Sequence, residues 1–227
     1  VELDGLFPAL MVLAFVAVTA GGWWLQSRRQ KALQAWVAGI GWTWVGADPA
    51  LVTRWQGQPF GVGTARRATD AVLGTFGPYR ALSFTYGWTT GSGKNRARHT
   101  AHVVALALPT YLPRLQLTAD GLGAKIATAL GGQDIEFESD DFNRRWRVEA
   151  NDPKFAHDVL HPRLLERLAA PQTPHVGIRI EGTDILAWAS GPTDTDRLAP
   201  VLGTLRAVVD ATPRFVWLDH GYDPART

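Results

Sequence analysis

The stretch ALSFTYGWTT (81–90), joined through GSGKNRA (91–97) to RHTAHVVALAL (98–108), decides how this chain folds. Leu82, Phe84 and Tyr86 alternate with small or polar residues, as do His102, Val104 and Leu106, the period of strands with one buried face. The loop between them is polar, glycine-rich and of hairpin length, so the two runs read as antiparallel partners. Upstream, glycine-punctuated extended segments begin at Gln58, and downstream RLQLTA (114–119) adds a further strand. Everything from Gln58 to Thr118 therefore reads as sheet.

Beyond Thr118 helices enter. LGAKIATALGG (122–132) has the pattern of a short helix closed by Gly131 and Gly132. In DIEFESDDFNRRWRVEA (134–150), Ile135 and Phe137 oppose Asp134, Glu136 and Glu138, which predicts a strand, a turn and a returning strand with Trp146 and Val148 inward. DPKFAHDVLHPRLLERLAA (152–170) is helical, started by Asp152 and Pro153 and interrupted at Pro162. HVGIRIEGTDILAWAS (175–190) predicts two strands about a Gly182-Thr183-Asp184 turn, and DTDRLAPVLGTLRAVVDAT (194–212) an amphipathic helix burying Leu198, Val201, Leu202, Leu205, Val208 and Val209. FVWLDHGYDPART (215–227) offers a final short strand. Strands, then helices, then strands give an α+β fold with a mainly antiparallel sheet and packed helices, without the regular β-α-β order of a nucleotide-binding sheet.

Before the sheet lies Leu6 to Leu25, LFPALMVLAFVAVTAGGWWL, without a charge and long enough at ~1.5 Å per residue to cross a ~30 Å hydrocarbon core. Glu2 and Asp4 precede it and Arg28, Arg29 and Lys31 follow, so the positive-inside rule predicts an N-terminus outside and a cytoplasmic C-terminal part. The acidic start and the length of the run speak for an uncleaved anchor and against a signal peptide. Trp23 and Trp24 end the run, where indole rings favour the headgroup level. Ala14, Ala17, Ala20, Gly21 and Gly22 allow close approach of another helix. The helical pattern continues through Leu33, Trp36, Val37 and Ile40 and should stop near Gly39 or Gly41. DPALVTRW (48–55) then predicts a short helical turn capped by Asp48. The expected organisation is a short segment 1–5, a transmembrane helix 6–25, a juxtamembrane helix 26–41 and a soluble α+β domain 42–227.

Composition narrows the function classes. Hydrophobic residues make up 46% of the chain and tryptophans number 10, ample for a core. Charged residues are only 19% and the formal net charge is +2, so nucleic acid is not an expected partner. The absence of cysteine excludes disulfides, thiolate catalysis and cysteine-ligated metal.

No catalytic, cofactor-binding or metal-binding residue is assigned from the sequence. The loop Gly87 to Asn95 resembles a phosphate-binding loop only superficially: Trp88 stands where a glycine is needed, Asn95 replaces the hydroxyl, and two strands flank it where a helix should follow. His157 and His161 lie four apart, the spacing of zinc proteases, but Asp158 replaces the glutamate, Pro162 ends the helix and no third ligand can be named. His99 and His102 fall on opposite faces of a strand. Asp134, Glu136, Glu138, Asp140 and Asp141, followed by Arg144, Arg145 and Arg147, are expected to pair across a hairpin.

The runs Gln58 to Gly63, Ala105 to Thr118, Asp134 to Val148, Lys154 to Leu168 and Arg214 to Gly221 resemble an uncharacterised family of membrane-anchored proteins from high-GC Gram-positive bacteria, a domain of unknown function. The resemblance implies a membrane anchor and one continuous domain, and contributes no site residues.

Anchor, packed domain and absent chemistry together lead to the expectation of a non-enzymatic, single-pass accessory or assembly subunit of an integral membrane protein complex, in contact with the bilayer through residues 6–25. Trp55 or Trp88 would serve as contact anchors if exposed. One alternative is a lipid or small-ligand binder at the inner leaflet, with an apolar pocket lined by Phe84, Val104 and Trp146. Another is an enzyme whose cleft brings His157 to Glu166 or Asp158.

Overall fold

The computed structural model describes residues 6–122 and 133–226. The chain divides into two units, Val1–Trp44 and Val45–Thr227.

The first unit is dominated by α1 (Leu6–Gly39), followed by β1 (Thr43–Gly46). Glycine ends the helix as the sequence predicts: Gly41 takes φ +72°, and the Trp42 N–H donates to the Val37 carbonyl at 3.0 Å. Leu33 and Val37 are buried and Trp36 half-buried, whereas Ile40, expected on the same face, is exposed. The apolar run Leu6 to Leu25 lies within α1, with some of its side chains outside the described residues. Among the described residues no helix is long and apolar enough to cross a membrane, so the structure gives the expected helix and not the expected span.

The second unit opens with a helical turn at Pro49–Val52, capped by Asp48, whose Oδ1 accepts from the Ala50 N–H at 2.9 Å. The strands are β2 (Thr64–Phe76), β3 (Tyr79–Thr90), β4 (Ala97–Ala119), β5 (Gln133–Asp134), β6 (Trp146–Ala150) and β7 (Gly177–Ser190). The helices are α2 (Asp140–Arg145), α3 (Pro153–Val159), α4 (Pro162–Ala169), α5 (Thr195–Ala211) and α6 (Arg214–Asp219). Within this unit the sheet runs β2-β3-β4-β6-β5, with β7 also paired to β4. It is antiparallel at every resolved pairing of β2 to β7, and the deciding hairpin is antiparallel as expected, its register running from Ala81↔Leu106 to Thr90↔Ala97.

The centre is the β4·β7 ribbon. The first half of β4 is flanked by β3 and β7, the second half by β7 and β6. Sequence reading breaks β4 in two and β7 in two; both run through. Pro109 and Pro113 lie where the register shifts between Ala107 and Leu115, so neither removes a bond from a regular ladder. Gly182 (φ +67°) pairs with Leu112 at the same place, and what reads as a turn is the bend of the whole ribbon. The bend folds the ribbon back on itself: a Cβ on Gly177 would lie 2.3 Å from the ring of Trp188, eleven residues along the same strand.

On one face Trp55, Phe60, Phe84 and Tyr86 pack with Ala101, Val103, Leu186 and Trp188. Trp55 and Phe84 stack at 6.0 Å, and Phe60 meets Tyr86 edge-on at 4.9 Å. Arg179 is buried in this face. Its guanidinium donates to the Gln116 Oε1 (2.9 Å) and to the backbone carbonyls of Gln56 (2.6 Å) and Gln58, and lies 4.9 Å from the Trp188 ring. Burial, with Arg114 adding to it, pulls the Arg179 pKa down to about 10, which leaves it cationic at neutral pH. On the opposite face α5 packs on β4 and β7 through Leu198, Val201, Leu202 and Leu205.

Two further expectations are corrected. Residues 134–150 do return as an antiparallel pair, β5 to β6, with Trp146 and Val148 buried as expected, but β5 is only two residues long and the expected turn holds α2, capped by Ser139 with Asp140 and Asp141 in its first turn and Arg144 and Arg145 in its last. That charge order suits a helix dipole, which is why an acidic-then-basic run folds as a helix here. The tail forms α6 and no strand, because Trp217 buries itself and its indole N–H donates to the Thr212 carbonyl at 3.1 Å. The helix predicted at 122–132 lies outside the described residues, apart from Leu122.

Candidate functional site

Short helices joined by capped turns leave space between them. Asp152 caps α3 by accepting from the Phe155 N–H, Pro153 and Pro162 start α3 and α4, and Leu160 breaks the helix between them. Together with α2 and the end of β4 these elements surround an open cavity of about 1290 Å³. Its apolar wall includes Phe137, Leu160, Leu165 and Ala170. Around it stand five carboxylates, Asp120, Glu136, Glu138, Asp141 and Glu166, against two guanidiniums, Arg144 and Arg145, and three imidazoles, His157, His161 and His175. With neutral imidazoles the lining carries an excess of negative charge.

Several of these groups are already engaged. His157 lies 4.9 Å from the Phe137 ring, and Phe137 is held by Asn143, which bonds both its N–H and its carbonyl. His161 is not on the helical face of His157, as its spacing predicts; α3 stops at Val159 and His161 becomes the N-cap of α4. Its Nε2 is 3.0 Å from the Ala211 carbonyl, an acceptor, so Nε2 carries the proton. Arg145 donates to the Thr173 carbonyl, while its Nε is buried without a hydrogen-bond partner. Among the described residues no three His, Asp or Glu side chains converge closely enough to hold a metal ion. The cleft expected to gather His157 and Glu166 is present, and Asp158 is not in it; Asp158 pairs with Lys154.

Among the described residues the ion pairs of the acidic and basic run are local ones. Arg144 pairs with Asp141 within α2, and Arg147 with its neighbour but one, Glu149. The pocket imagined between Phe84, Val104 and Trp146 does not form: all three are buried in solid packing, and the Trp146 indole donates to the Leu168 carbonyl at 3.0 Å. Trp55 is buried and Trp88 half-buried, which removes both as free contact anchors.

Sequence reading missed one constellation with the look of a catalytic triad. Ser83 Oγ is 2.8 Å from His102 Nε2, and Asp194 meets the other ring nitrogen. The donor on Nδ1, however, is the Asp194 backbone N–H at 3.3 Å, so Nδ1 accepts and Nε2 holds the proton. The imidazole then donates to the serine and has no lone pair with which to activate it. Ser83 is also fully buried. Thr85 continues the network to Thr193 at 2.8 Å, tying the sheet to the start of α5. Ser83 faces Val104 across the β3–β4 pair, two residues from His102, so the contact is a diagonal one that the alternation of either strand alone does not reveal.

No protein-family model matches the chain, and no curated protein matches it. Among solved structures it is similar to the crystal structure of the mycobacterial trehalose monomycolate transport factor A, TtfA, with a TM-score of 0.56 and 16% identity over 81% of this chain and 96% of that one. At that identity the likeness shows a shared fold. The mycobacterial source accords with the resemblance to proteins of high-GC Gram-positive bacteria.

Proposed function

We propose that this chain is a membrane-anchored, non-enzymatic accessory subunit of a larger membrane assembly, and that the assembly moves an envelope lipid. The observation that carries this is the outer surface of α1: Met11, Phe15 and Val18 are 64%, 70% and 74% exposed, with Leu13, Val16 and Trp24 also on view. A row of large apolar side chains on one helix is costly against water and costs nothing against lipid. Residues 6–25 are then the anchor, residues 26–41 follow at the inner leaflet and the domain 42–227 is cytoplasmic. The neighbour in fold is named as a transport factor for trehalose monomycolate, and a supporting role in lipid transport is the reading that joins that fold to this anchor.

The test is extraction of native membranes in mild detergent, capture through a C-terminal tag and mass spectrometry of what accompanies the chain. A stoichiometric integral membrane transporter is the expected result. Recovery of a lone monomer overturns the accessory reading.

A second role rests on the cavity. Its size, its apolar wall with Phe137 and its ring of hydrogen-bonding side chains suit a neutral, hydroxyl-rich headgroup, while its excess of carboxylates disfavours a phosphate. Trehalose titrated against the full chain in detergent should shift the His157 and His175 ring resonances; their invariance at saturating sugar removes this role.

A further inference from the structure

Charge is divided between the two parts of the domain. From Leu51 to Ala119 the sequence has eight cations and one carboxylate, Asp70, which is buried. Five of those cations are brought to one end of the sheet. The register Thr64↔Thr89 and Thr89↔Arg98 places the start of β2, the end of β3 and the start of β4 side by side. Arg66 and Arg67 stand on β2, Arg98 on β4 and Lys94 and Arg96 in the connecting loop, all exposed. At ~4.8 Å per strand, β2 and β4 lie roughly 10 Å apart, about one Debye length, so the charges act together. None forms an ion pair among the described residues. Arg66 lies beside the Tyr86 hydroxyl and Arg67 against Gly87, neutral neighbours that leave both charges uncompensated.

We infer that this end of the β2–β3–β4 sheet is an electrostatic docking surface for an anionic lipid bilayer. The surface is a hairpin end with a tip of small and polar residues, Gly91-Ser92-Gly93-Lys94-Asn95. Such an end meets a plane of phosphate headgroups with several cations at once. It is poorly suited to nucleic acid: the aromatic residue present, Trp88, is half-buried and stacked on His99 at 5.2 Å, and so has no free face for a base. The loop that imitates a phosphate-binding motif thus acts through its charge, and needs no helix N-terminus to do so. The inference stands apart from the anchor reading, since these residues all belong to the second unit.

The chain has no cysteine, so Ser92→Cys gives a single labelling position at the tip. The full-length labelled chain is placed in nanodiscs of phosphatidylcholine alone and of phosphatidylcholine with phosphatidylglycerol, each carrying a quencher on a headgroup. Expected is strong quenching in the anionic disc, weaker by at least about tenfold in the neutral one, and lost with salt or in the Arg66→Glu, Arg67→Glu, Arg96→Glu, Arg98→Glu variant. Circular dichroism of that variant confirms that it is folded. Equal quenching in both discs, quenching in neither, or release of the tip by a DNA duplex but not by excess anionic vesicles overturns the inference. A chain that fails to enter the discs overturns the anchor and not the docking surface; vesicles of the same lipids mixed with the labelled chain then give the same readout.

Discussion

The folded-over face of the β4·β7 ribbon and the cavity beside α2, α3 and α4 belong to the same unit and are filled in opposite ways. In the first, Trp55, Phe60, Phe84, Tyr86 and Trp188 occupy the space, and the Gln116 side chain and the Gln56 and Gln58 carbonyls taken inside are matched to Arg179. In the second, α4 ends in Ala169, followed by Ala170 and Pro171, and polar side chains of the short helices line a space of about 1290 Å³. Large rings close a sheet that folds on itself; small residues at helix ends leave room. The contrast sets a closed, packed region against one that leaves room for the proposed headgroup.

The comparison is broken most severely at Arg179. Arg179→Met should cost about 3 kcal/mol or more in urea unfolding, because the Gln56 and Gln58 carbonyls and the Gln116 side chain lose their buried donor. A cost below ~1 kcal/mol would mean that this face is wetter than its packing implies. Next comes Gly177→Ala, whose Cβ must displace the Trp188 ring; overpacking of this kind costs about 1 to 3 kcal/mol, read from the same unfolding curves. On the cavity side, Ala170→Trp should change stability by no more than ~0.5 kcal/mol while removing the sugar-induced shifts. Equal costs for Gly177→Ala and Ala170→Trp would erase the distinction between the two regions.

The smallest effect concerns pH. Tyr79 donates to Asp210 at 3.0 Å, joining the β2–β3 turn to α5. Burial first, then this hydrogen bond and the Asp210 charge, push the Tyr79 pKa up to about 12. The folded state therefore holds the phenol proton more tightly than the unfolded chain. Its contribution to stability is complete below about pH 10 and is lost as the pH rises through about 12. Burial also raises the Tyr86 pKa, so absorbance titration at alkaline pH should show late-ionising tyrosines whose number falls by one in Tyr79→Phe.

The errors of sequence reading share a cause. Pro109, Pro113 and Gly182 are locally breakers, yet they sit on matching positions of two paired strands, and a bend shared by both looks in each strand alone like an end. Residues 134–150 alternate as a strand would, but Ser139 finds the Phe142 N–H and the charges then order a helix. The tail turns helical because Trp217 is buried against the rest of the domain. The cavity was legible only in part: His157, His161 and Glu166 stand near one another in sequence, while Asp120 and His175 arrive from either side of them. Asp184, read as a turn residue, clamps Arg54 and the Trp55 indole across 130 and 129 positions.

What the sequence determines by itself is local and periodic: alternation in the deciding hairpin, the helix starts at Asp48 and Asp152, the glycine stop of α1, and an uncharged run of membrane length. These follow from backbone hydrogen bonding and side-chain period, which act over a few residues. The tertiary structure alone decided the bend of the ribbon, the burial of Arg179, the proton on His102 and the gathering of five cations at one end of the sheet. Each depends on partners far apart in the chain, and burial and electrostatics are properties of neighbours in space.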